Sequence, residues 1–107
     1  MKLDSAGFHA RRCAELVDGK AAANEPYTVE ERVLVRMDLG WVTGLAREVA
    51  LILQDASGAT SINENVPIQR IARDIQALAL HGILNPNTNL ELYGRVLCGL
   101  EPNTILL

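Results

Sequence analysis

Apolar side chains recur every three or four residues in four stretches of the chain, the spacing that places them on one face of an α-helix. In the first stretch this spacing runs from Leu3 to Val17. Gly19 follows it, and because glycine disfavours a helix interior, we expect the first helix to stop there. The run GKAAANEPY is then predicted to be a connection.

The second stretch predicts a long helix. Thr28 has the position of an N-cap, and Glu31, three residues later, completes the spacing of a capping box. We expect this helix to end near residue 56, after about 40 Å. Gly40 and Gly44 lie inside it, where each glycine costs about 1 kcal/mol relative to alanine, so we expect a neighbouring helix to approach closely there. Its apolar face is predicted to consist of Leu34, Met37, Trp41, Leu45, Val49 and Ile52.

The third and fourth stretches are shorter. The segment SGATSINENV interrupts the pattern, and Pro67, a residue favoured in a first helical turn, begins the third helix, which ends near Gly82. The fourth helix starts after NPNTN, where an asparagine or Thr88 can cap it, and ends before Pro102. Four amphipathic helices with short links predict an all-α fold, an antiparallel four-helix up-and-down bundle in which residues 1–107 form a single domain. The apolar face of the third helix is predicted to consist of Ile68, Ile71, Ala72, Ile75, Leu78 and Ala79.

Composition supports helices and excludes several classes of protein. Of the 107 residues, 49% are hydrophobic but only 4% are aromatic, which suits packed helices better than a β-sandwich. The net charge is −3 and the arginines are scattered among acidic residues, so no nucleic-acid partner is expected. No apolar run reaches the roughly 18 to 20 residues that span a bilayer, and the N-terminus lacks the apolar core of a signal peptide. We therefore expect a cytoplasmic protein with no membrane partner.

The motifs of a self-contained enzyme are missing. The sequence has no Gly-x-Ser-x-Gly nucleophile elbow and no glycine-rich phosphate loop. Cys13 and Cys98 stand apart from any metal-ligand spacing, so we expect no metal site and no disulfide, only small core residues. His9 is predicted to be a solvated or partly packed histidine, and Trp41 a core or interface anchor.

One polar sector of the third helix is a candidate site. At about 100° per residue, Arg70, Asp74, Ala77 and His81 fall together, about 120° from the centre of the apolar face. In a structural interpretation, Arg70 and Asp74 form an ordinary ion pair worth about 0.3 to 0.5 kcal/mol, and His81 neighbours the helix C-terminus. In a functional interpretation, His81 donates a hydrogen bond or shuttles a proton, since histidine titrates nearest neutrality. Spacing alone leaves both interpretations open.

The segment PIQRIARDIQALALHGILNPNTNLELYGRVLCGLEPNT resembles the C-terminal helical domain of the acyl-CoA dehydrogenase superfamily, in the branch shared with reduced-flavin-dependent monooxygenases. That branch typically has Pro-Leu-Gln-Arg-x-x-Arg-Asp, a histidine seven residues after the aspartate, then Glu-Leu-Tyr-Gly-Arg and Gly-x-Glu-Pro. A weaker resemblance covers the preceding long helix, so that essentially the whole chain is included. The matching positions here are Pro67, Gln69, Arg70, Arg73, Asp74, His81, Glu91 to Arg95, and Gly99 to Pro102.

The resemblance implies that His81 lies over the reactive edge of a flavin and assists proton transfer there and at an aromatic substrate. It further implies a reduced flavin, FMN or FAD, as the cofactor of the parent enzyme, with Arg70 and Asp74 on the cofactor side. The residues of ASGATSI that correspond loosely to the family's flavin-facing turn are Gly58, Thr60 and Ser61. Acyl-CoA dehydrogenases proper carry a Tyr-Glu-Gly-Thr motif, which this sequence lacks, so the monooxygenase branch is favoured.

The resemblance also implies partners. Full-length members have an N-terminal helical domain and a β-domain before this one, so we expect the chain to be a C-terminal domain that does not bind flavin alone. Members of the family form oligomers through this bundle, which implies a homo-oligomer, a dimer or tetramer, and a flavin reductase as a further partner. Two alternatives to a monooxygenase domain stay open: a non-catalytic helical assembly module, and an acyl-CoA dehydrogenase proper.

Overall fold

The computed structural model describes residues 1–104 and 107, and within these residues it contains helices and no strand. The all-α prediction with four main helices is confirmed. The four helices are α1 (Lys2–Ala23), α2 (Val29–Ala56), α3 (Pro67–Ala79) and α4 (Pro86–Leu97), and a short 3₁₀ helix (Gly58–Ile62) connects α2 to α3.

The end of α1 differs from the prediction. The helix continues through Gly19 to Ala23 and ends at Asn24, whose φ of 52° is in the left-handed region. The prediction that Gly19 stops the helix was wrong. One glycine costs only about 1 kcal/mol, and the alanines that follow it are the best helix formers. Asn24 then provides the left-handed residue with which many helices end.

The start and end of α2 agree with the sequence. The backbone N–H of Glu31 donates to Oγ1 of Thr28 at 3.1 Å, and the N–H of Thr28 donates to Oε2 of Glu31 at 2.9 Å. The predicted capping box is therefore confirmed, and the helix ends at Ala56. The pKa of the Glu31 carboxyl is lowered, first by the Thr28 backbone and then by the ammonium of Lys20.

Helix α2 is the centre of the fold. The helices α1, α3 and α4 each pack against α2 and barely contact one another. Trp41 and Ile52, which were predicted to lie on the apolar face of α2, are 38% and 54% exposed, so Trp41 is not a core residue. The apolar core consists of Val33, Met37, Leu45 and Ala50 of α2, Ala72 and Ala79 of α3, and Leu92 of α4.

The molecule exposes more surface than a compact domain of its size. Its radius of gyration is 16.2 Å, against about 13 Å expected for a globular domain of this length. Its accessible surface is 7122 Å², against about 5,800 Å² expected for its mass. Large apolar side chains contribute to this excess on every helix. Those at least half exposed include Leu3, Phe8, Ile52, Leu53, Ile62, Leu80, Leu97 and Leu100.

Helices α2 and α4 approach each other closely at the two glycines of α2. A Cβ atom placed on Gly40 lies 2.7 Å from Cβ of Asn89, and one placed on Gly44 lies 3.3 Å from Cγ of Pro86. Real Cβ contacts essentially never fall below 3.0 Å, so only glycine fits at position 40. The predicted close approach of a neighbouring helix is confirmed.

We expect Gly40→Ala to lower the free energy of unfolding by about 1 to 3 kcal/mol, although alanine is the better helix former. The clash with Asn89 outweighs the gain in helix propensity, because Asn89 is 0% exposed and has no room to move. Urea denaturation of the 107-residue chain measures the effect. Gly19→Ala is the matched control: it lies inside α1 with nothing within 4 Å of its Cβ, so we expect it to stabilise by up to about 1 kcal/mol. If both substitutions change the free energy of unfolding in the same direction, the close approach of α4 does not determine the effect of a side chain at position 40.

Candidate functional site

The turn between α3 and α4 carries His81. The last bonds of α3 are short-range: the N–H of Leu80 donates to Ala77 O at 3.2 Å, and that of His81 donates to Leu78 O at 3.1 Å. The helix ends at Ala79, so His81 does not continue the helical sector of Arg70 and Asp74, and that geometric prediction was wrong. Asn85 caps α4 and Pro86 begins it, so the chain has to turn between Ala79 and Asn85.

The orientation of the His81 ring is set within this turn. The backbone N–H of Ile83 donates to Nδ1 of His81 at 3.2 Å, and the His81 carbonyl accepts the N–H groups of Leu84 and Asn85, both at 2.9 Å. A backbone N–H is always a donor, so Nδ1 must be the acceptor nitrogen and the ring proton of the neutral form lies on Nε2. His81 is exposed, and it therefore presents an N–H donor at the surface of the domain.

Arg70 and Asp74 are both exposed on α3, but they do not form the ion pair predicted by their spacing. The ion pair that the structure describes for Asp74 is with its neighbour Arg73, whose Nε lies 3.8 Å from Oδ1. Both side chains of this pair are more than 60% exposed, so the pair contributes little. The guanidinium of Arg70 has no hydrogen bond or ion pair among the described residues, and its five donors remain available to a ligand.

The 3₁₀ helix after α2 contains the three residues of the suggested flavin-facing turn. Gly58 has a φ of 71°, a left-handed conformation that strains other residues. The hydroxyl of Thr60 donates to the Ser57 carbonyl at 3.1 Å, and Ser61 is only 3% exposed. The segment contacts both α2 and α3, so it lies beside the helix that precedes His81. Gly58 and Thr60 face solvent, whereas Ser61 is part of the interior.

A buried polar pair between α2 and α4 was not predicted. Arg36 donates through Nε and Nη2 to Oδ1 of Asn89, at 3.2 and 2.9 Å. The amide of Asn89 donates to the carbonyls of Arg36, at 2.6 Å, and Ile83, at 2.7 Å. The sequence left open which asparagine of NPNTN, or Thr88, caps α4; the cap is Asn85, and Asn89 has this different role. The available signal was Gly40, one turn after Arg36, which marks where another chain segment reaches α2.

A second polar cluster lies between α1 and α2. Nδ1 of His9 is 2.8 Å from Oδ1 of Asp38, and Nε of Arg12 donates to Oδ2 of Asp38 at 3.0 Å. Asp38 is 1% exposed, and its hydrogen bond raises the pKa of Arg12. His9 is thus partly packed, as predicted. Burial raises the pKa of the Cys13 thiol, which makes this thiol less reactive. The cluster is satisfied internally, so its evident role is to hold α1 on α2.

The described residues contain neither a cluster of metal ligands nor a membrane-spanning helix. No group of three or more His, Cys, Asp or Glu side chains is arranged to hold a metal ion in this part of the chain. No helix there is long and apolar enough to cross a membrane. Cys98 is exposed rather than buried, contrary to the prediction of a core residue, whereas Cys13 is half-buried.

Comparison with known proteins identifies the family. Residues 1–86 match the family described as the acyl-CoA dehydrogenase C-terminal domain, and the chain belongs to this family. It is 36% identical, over 83 residues, to the oxygenase subunit HsaA of a flavin-dependent monooxygenase from Mycobacterium tuberculosis, a match that covers 76% of this chain. The chain therefore resembles the flavin-monooxygenase branch of the superfamily.

Solved structures agree with this assignment. XiaF from Streptomyces sp., in complex with FADH2 and glycerol, superposes with a TM-score of 0.93 and 33% identity, covering 99% of this chain. The 3-HSA hydroxylase from Rhodococcus sp. RHA1 superposes with a TM-score of 0.76 and 25% identity, again over 99% of this chain. The chain spans only 21% of the length of HsaA, 27% of XiaF and 30% of the Rhodococcus hydroxylase.

Proposed function

We propose that this domain forms one wall of the flavin and substrate pocket of a reduced-flavin-dependent monooxygenase that acts on a small organic molecule. The observation that carries the proposal is the superposition of nearly the whole chain on a protein that was solved with FADH2. The same observation favours FAD over FMN, and a flavin reductase is the partner that would supply the reduced cofactor. A cytoplasmic location stays a prediction.

Exposed groups on α3 and on the 3₁₀ helix suit parts of a flavin. Arg70 offers an exposed guanidinium with no partner among the described residues, and a guanidinium matches a phosphate in charge and geometry. Asp74, also exposed on α3, can accept a hydrogen bond from a ribityl hydroxyl. The exposed backbone at Gly58 and Thr60 carries no large side chain that would block a ring system, since nothing lies within 4 Å of a Cβ at Gly58. Ser61, being buried, supports this segment rather than contacting the cofactor.

His81 is proposed as the catalytic residue. When bound, the reduced flavin supplies the electrons that activate dioxygen. Because Nδ1 of the exposed His81 accepts from Ile83, its Nε2–H is the group that would donate a hydrogen bond to an oxygen atom that gains negative charge. It does not act as a base while Nδ1 accepts from Ile83, because both nitrogens of a neutral imidazole cannot be acceptors. To remove a proton from a substrate, His81 would first have to release the Ile83 N–H.

We propose that the domain also takes part in a homo-oligomer, a dimer or tetramer. Its excess of exposed apolar surface supports the proposal, since isolated soluble domains rarely leave so much uncovered. The parts of the enzyme that the chain does not span would cover the remainder. Sedimentation velocity decides the point, and a monomer at every concentration tested would count against self-association.

An exchange of domains tests the proposed function. The segment of XiaF that superposes on this chain is replaced by residues 1–107, and FADH2 binding is measured without oxygen for the exchanged enzyme and for the chain alone. We expect the exchanged enzyme to hold FADH2 and the isolated chain not to hold it, because a pocket needs all its walls to be preorganised.

Unmodified XiaF is the control for the exchange, and its thermal unfolding shows whether the exchanged enzyme is folded. A folded exchanged enzyme that does not bind FADH2 would contradict the flavin-pocket role and favour the non-catalytic assembly module. Micromolar binding of FADH2 by the isolated chain would contradict the prediction that one wall is insufficient.

A further inference from the structure

Asn89 links the central helix to the turn that carries His81. Its side chain has two N–H donors and two acceptor positions, and all four are used, by Arg36 on α2 and by Ile83 in the turn. It is 0% exposed, so no water replaces these partners. A buried amide with complete hydrogen bonding has one allowed orientation, and its partners are held with it.

The bonds continue from Asn89 to the histidine ring. The carbonyl of Ile83 accepts from Nδ2 of Asn89 at 2.7 Å, and the N–H of the same residue donates to Nδ1 of His81 at 3.2 Å. Ile83 is therefore held from both sides, by a buried side chain on one and by the imidazole on the other. We infer that Asn89 is a positioning residue for His81: by anchoring Ile83 to α2, it keeps the ring in the tautomer that presents Nε2–H. The inference rests on the proposed function of His81 as a hydrogen-bond donor.

The chemistry of position 89 is specific. An aspartate at this place would keep the acceptor for Arg36 but lose the N–H that holds the Ile83 carbonyl, and would place a carboxylate oxygen against that carbonyl. The side chain of Asn89 occupies the space that a Cβ on Gly40 would need, since such an atom would lie 2.7 Å from its Cβ and 3.0 Å from its Nδ2. Gly40 thus leaves the Arg36 carbonyl open to a second donor. Asn89 is bonded to α2, which is the most buried helix of the fold. Its position is therefore fixed, and it can hold a turn that lies at the surface.

Nitrogen NMR of the imidazoles tests the inference on the 107-residue chain itself. The chain has two histidines, so a His9→Gln variant assigns both rings. At a pH where the ring is neutral, we expect well-separated ¹⁵N signals for His81, with Nδ1 of the acceptor type and Nε2 of the N–H type. Asn89→Asp should reduce the difference in ¹⁵N chemical shift between Nδ1 and Nε2 of His81, because both tautomers of the ring are then populated. Leu92→Val is the matched control, since it changes a buried residue of the same helix without removing a hydrogen bond of Ile83, and should leave the separation unchanged.

The kinetics of the exchanged XiaF enzyme provide a second test of the inference. We expect Asn89→Asp to lower kcat by about 10- to 100-fold, the usual cost of a catalytic group that is displaced slightly. In a His81→Ala background the same substitution should have no further effect, because residue 89 acts through His81. Leu92→Val should change kcat equally in both backgrounds.

The outcomes separate the two proposals. An unchanged His81 separation in folded Asn89→Asp, or an Asn89 effect of equal size with and without His81, overturns the positioning role. If His81→Ala alone leaves kcat unchanged, the proposed catalytic function fails, while the NMR result still decides whether Asn89 orients the ring. Asn89→Ala, measured by the same NMR signals, keeps the test decisive if the aspartate variant does not fold.

Discussion

His81→Ala, made in the exchanged XiaF enzyme, is expected to lower oxygen-dependent product formation by about 10² to 10⁴-fold while leaving the thermal midpoint nearly unchanged. The expected fall follows from the proposed role of His81, since removal of one positioned catalytic group usually has an effect of this size. Stability is kept because His81 is exposed beyond the end of α3, where substitutions usually change the free energy of unfolding by less than about 0.5 kcal/mol. Both quantities are measured on the same preparation.

The other histidine of the chain provides the control. His9 lies on α1 with Nδ1 against the buried Asp38, and its side chain is only 19% exposed. We expect His9→Ala to show the opposite pattern, a lowered thermal midpoint with the rate per folded enzyme retained. If His81→Ala instead keeps full product formation and lowers the midpoint, His81 is a structural residue and the match to the monooxygenases fails at its central position.

Arg12→Met is expected to lower the free energy of unfolding of the chain by about 3 kcal/mol, the largest stability effect that the structure indicates. Asp38 is 1% exposed and relies on Arg12 for two of its hydrogen bonds. The substitution keeps most of the apolar length of the side chain but leaves a buried carboxylate with His9 alone. Arg12 itself is 36% exposed, so the cost comes from Asp38 and not from the arginine.

Urea denaturation measures this effect, and two further variants serve as controls. Arg11→Met removes the neighbouring exposed arginine and is expected to change stability by less than about 0.5 kcal/mol. The double variant Arg12→Met/Asp38→Leu removes both partners and should recover most of the loss, because no buried charge is then left unpaired. A loss in Arg12→Met no greater than that in Arg11→Met would show that the cluster does not hold α1 on α2.

Much of the fold could be predicted from the sequence because its signals are local. Thr28 and Glu31 cap α2 with groups three residues apart, and Pro67 begins α3 with its own ring geometry. Gly40 and Gly44 indicated a close neighbour because a glycine inside a long helix needs compensation. The capping box and the proline act within about one turn, whereas the glycines indicated only that some neighbour lies close, and that neighbour, α4, is far away in the sequence.

The sequence also specified the family, through spaced residues that agree in order, but the placement of His81 needed the structure. Helical spacing put His81 in line with Arg70 and Asp74, whereas α3 ends two residues earlier. The chain turns between Ala79 and Asn85 so that α4 can begin at Pro86, and both helices pack on α2, a tertiary constraint that helical spacing does not contain. The spacing of apolar residues does not indicate at which residue α3 ends.

Only the tertiary structure decided the two buried polar clusters. Arg36 meets Asn89 across 53 residues of sequence, and Arg12 meets Asp38 across 26. A charged or amide side chain on a helix has the same local signal whether it faces water or a partner, because its burial depends on a segment far away in the chain. The exposure of Trp41 has the same origin, since α2 buries polar residues on the faces that its three neighbours cover and leaves part of its apolar surface uncovered. Folding of the complete chain selects the partner, and that selection places the hydrogen bonds that reach His81.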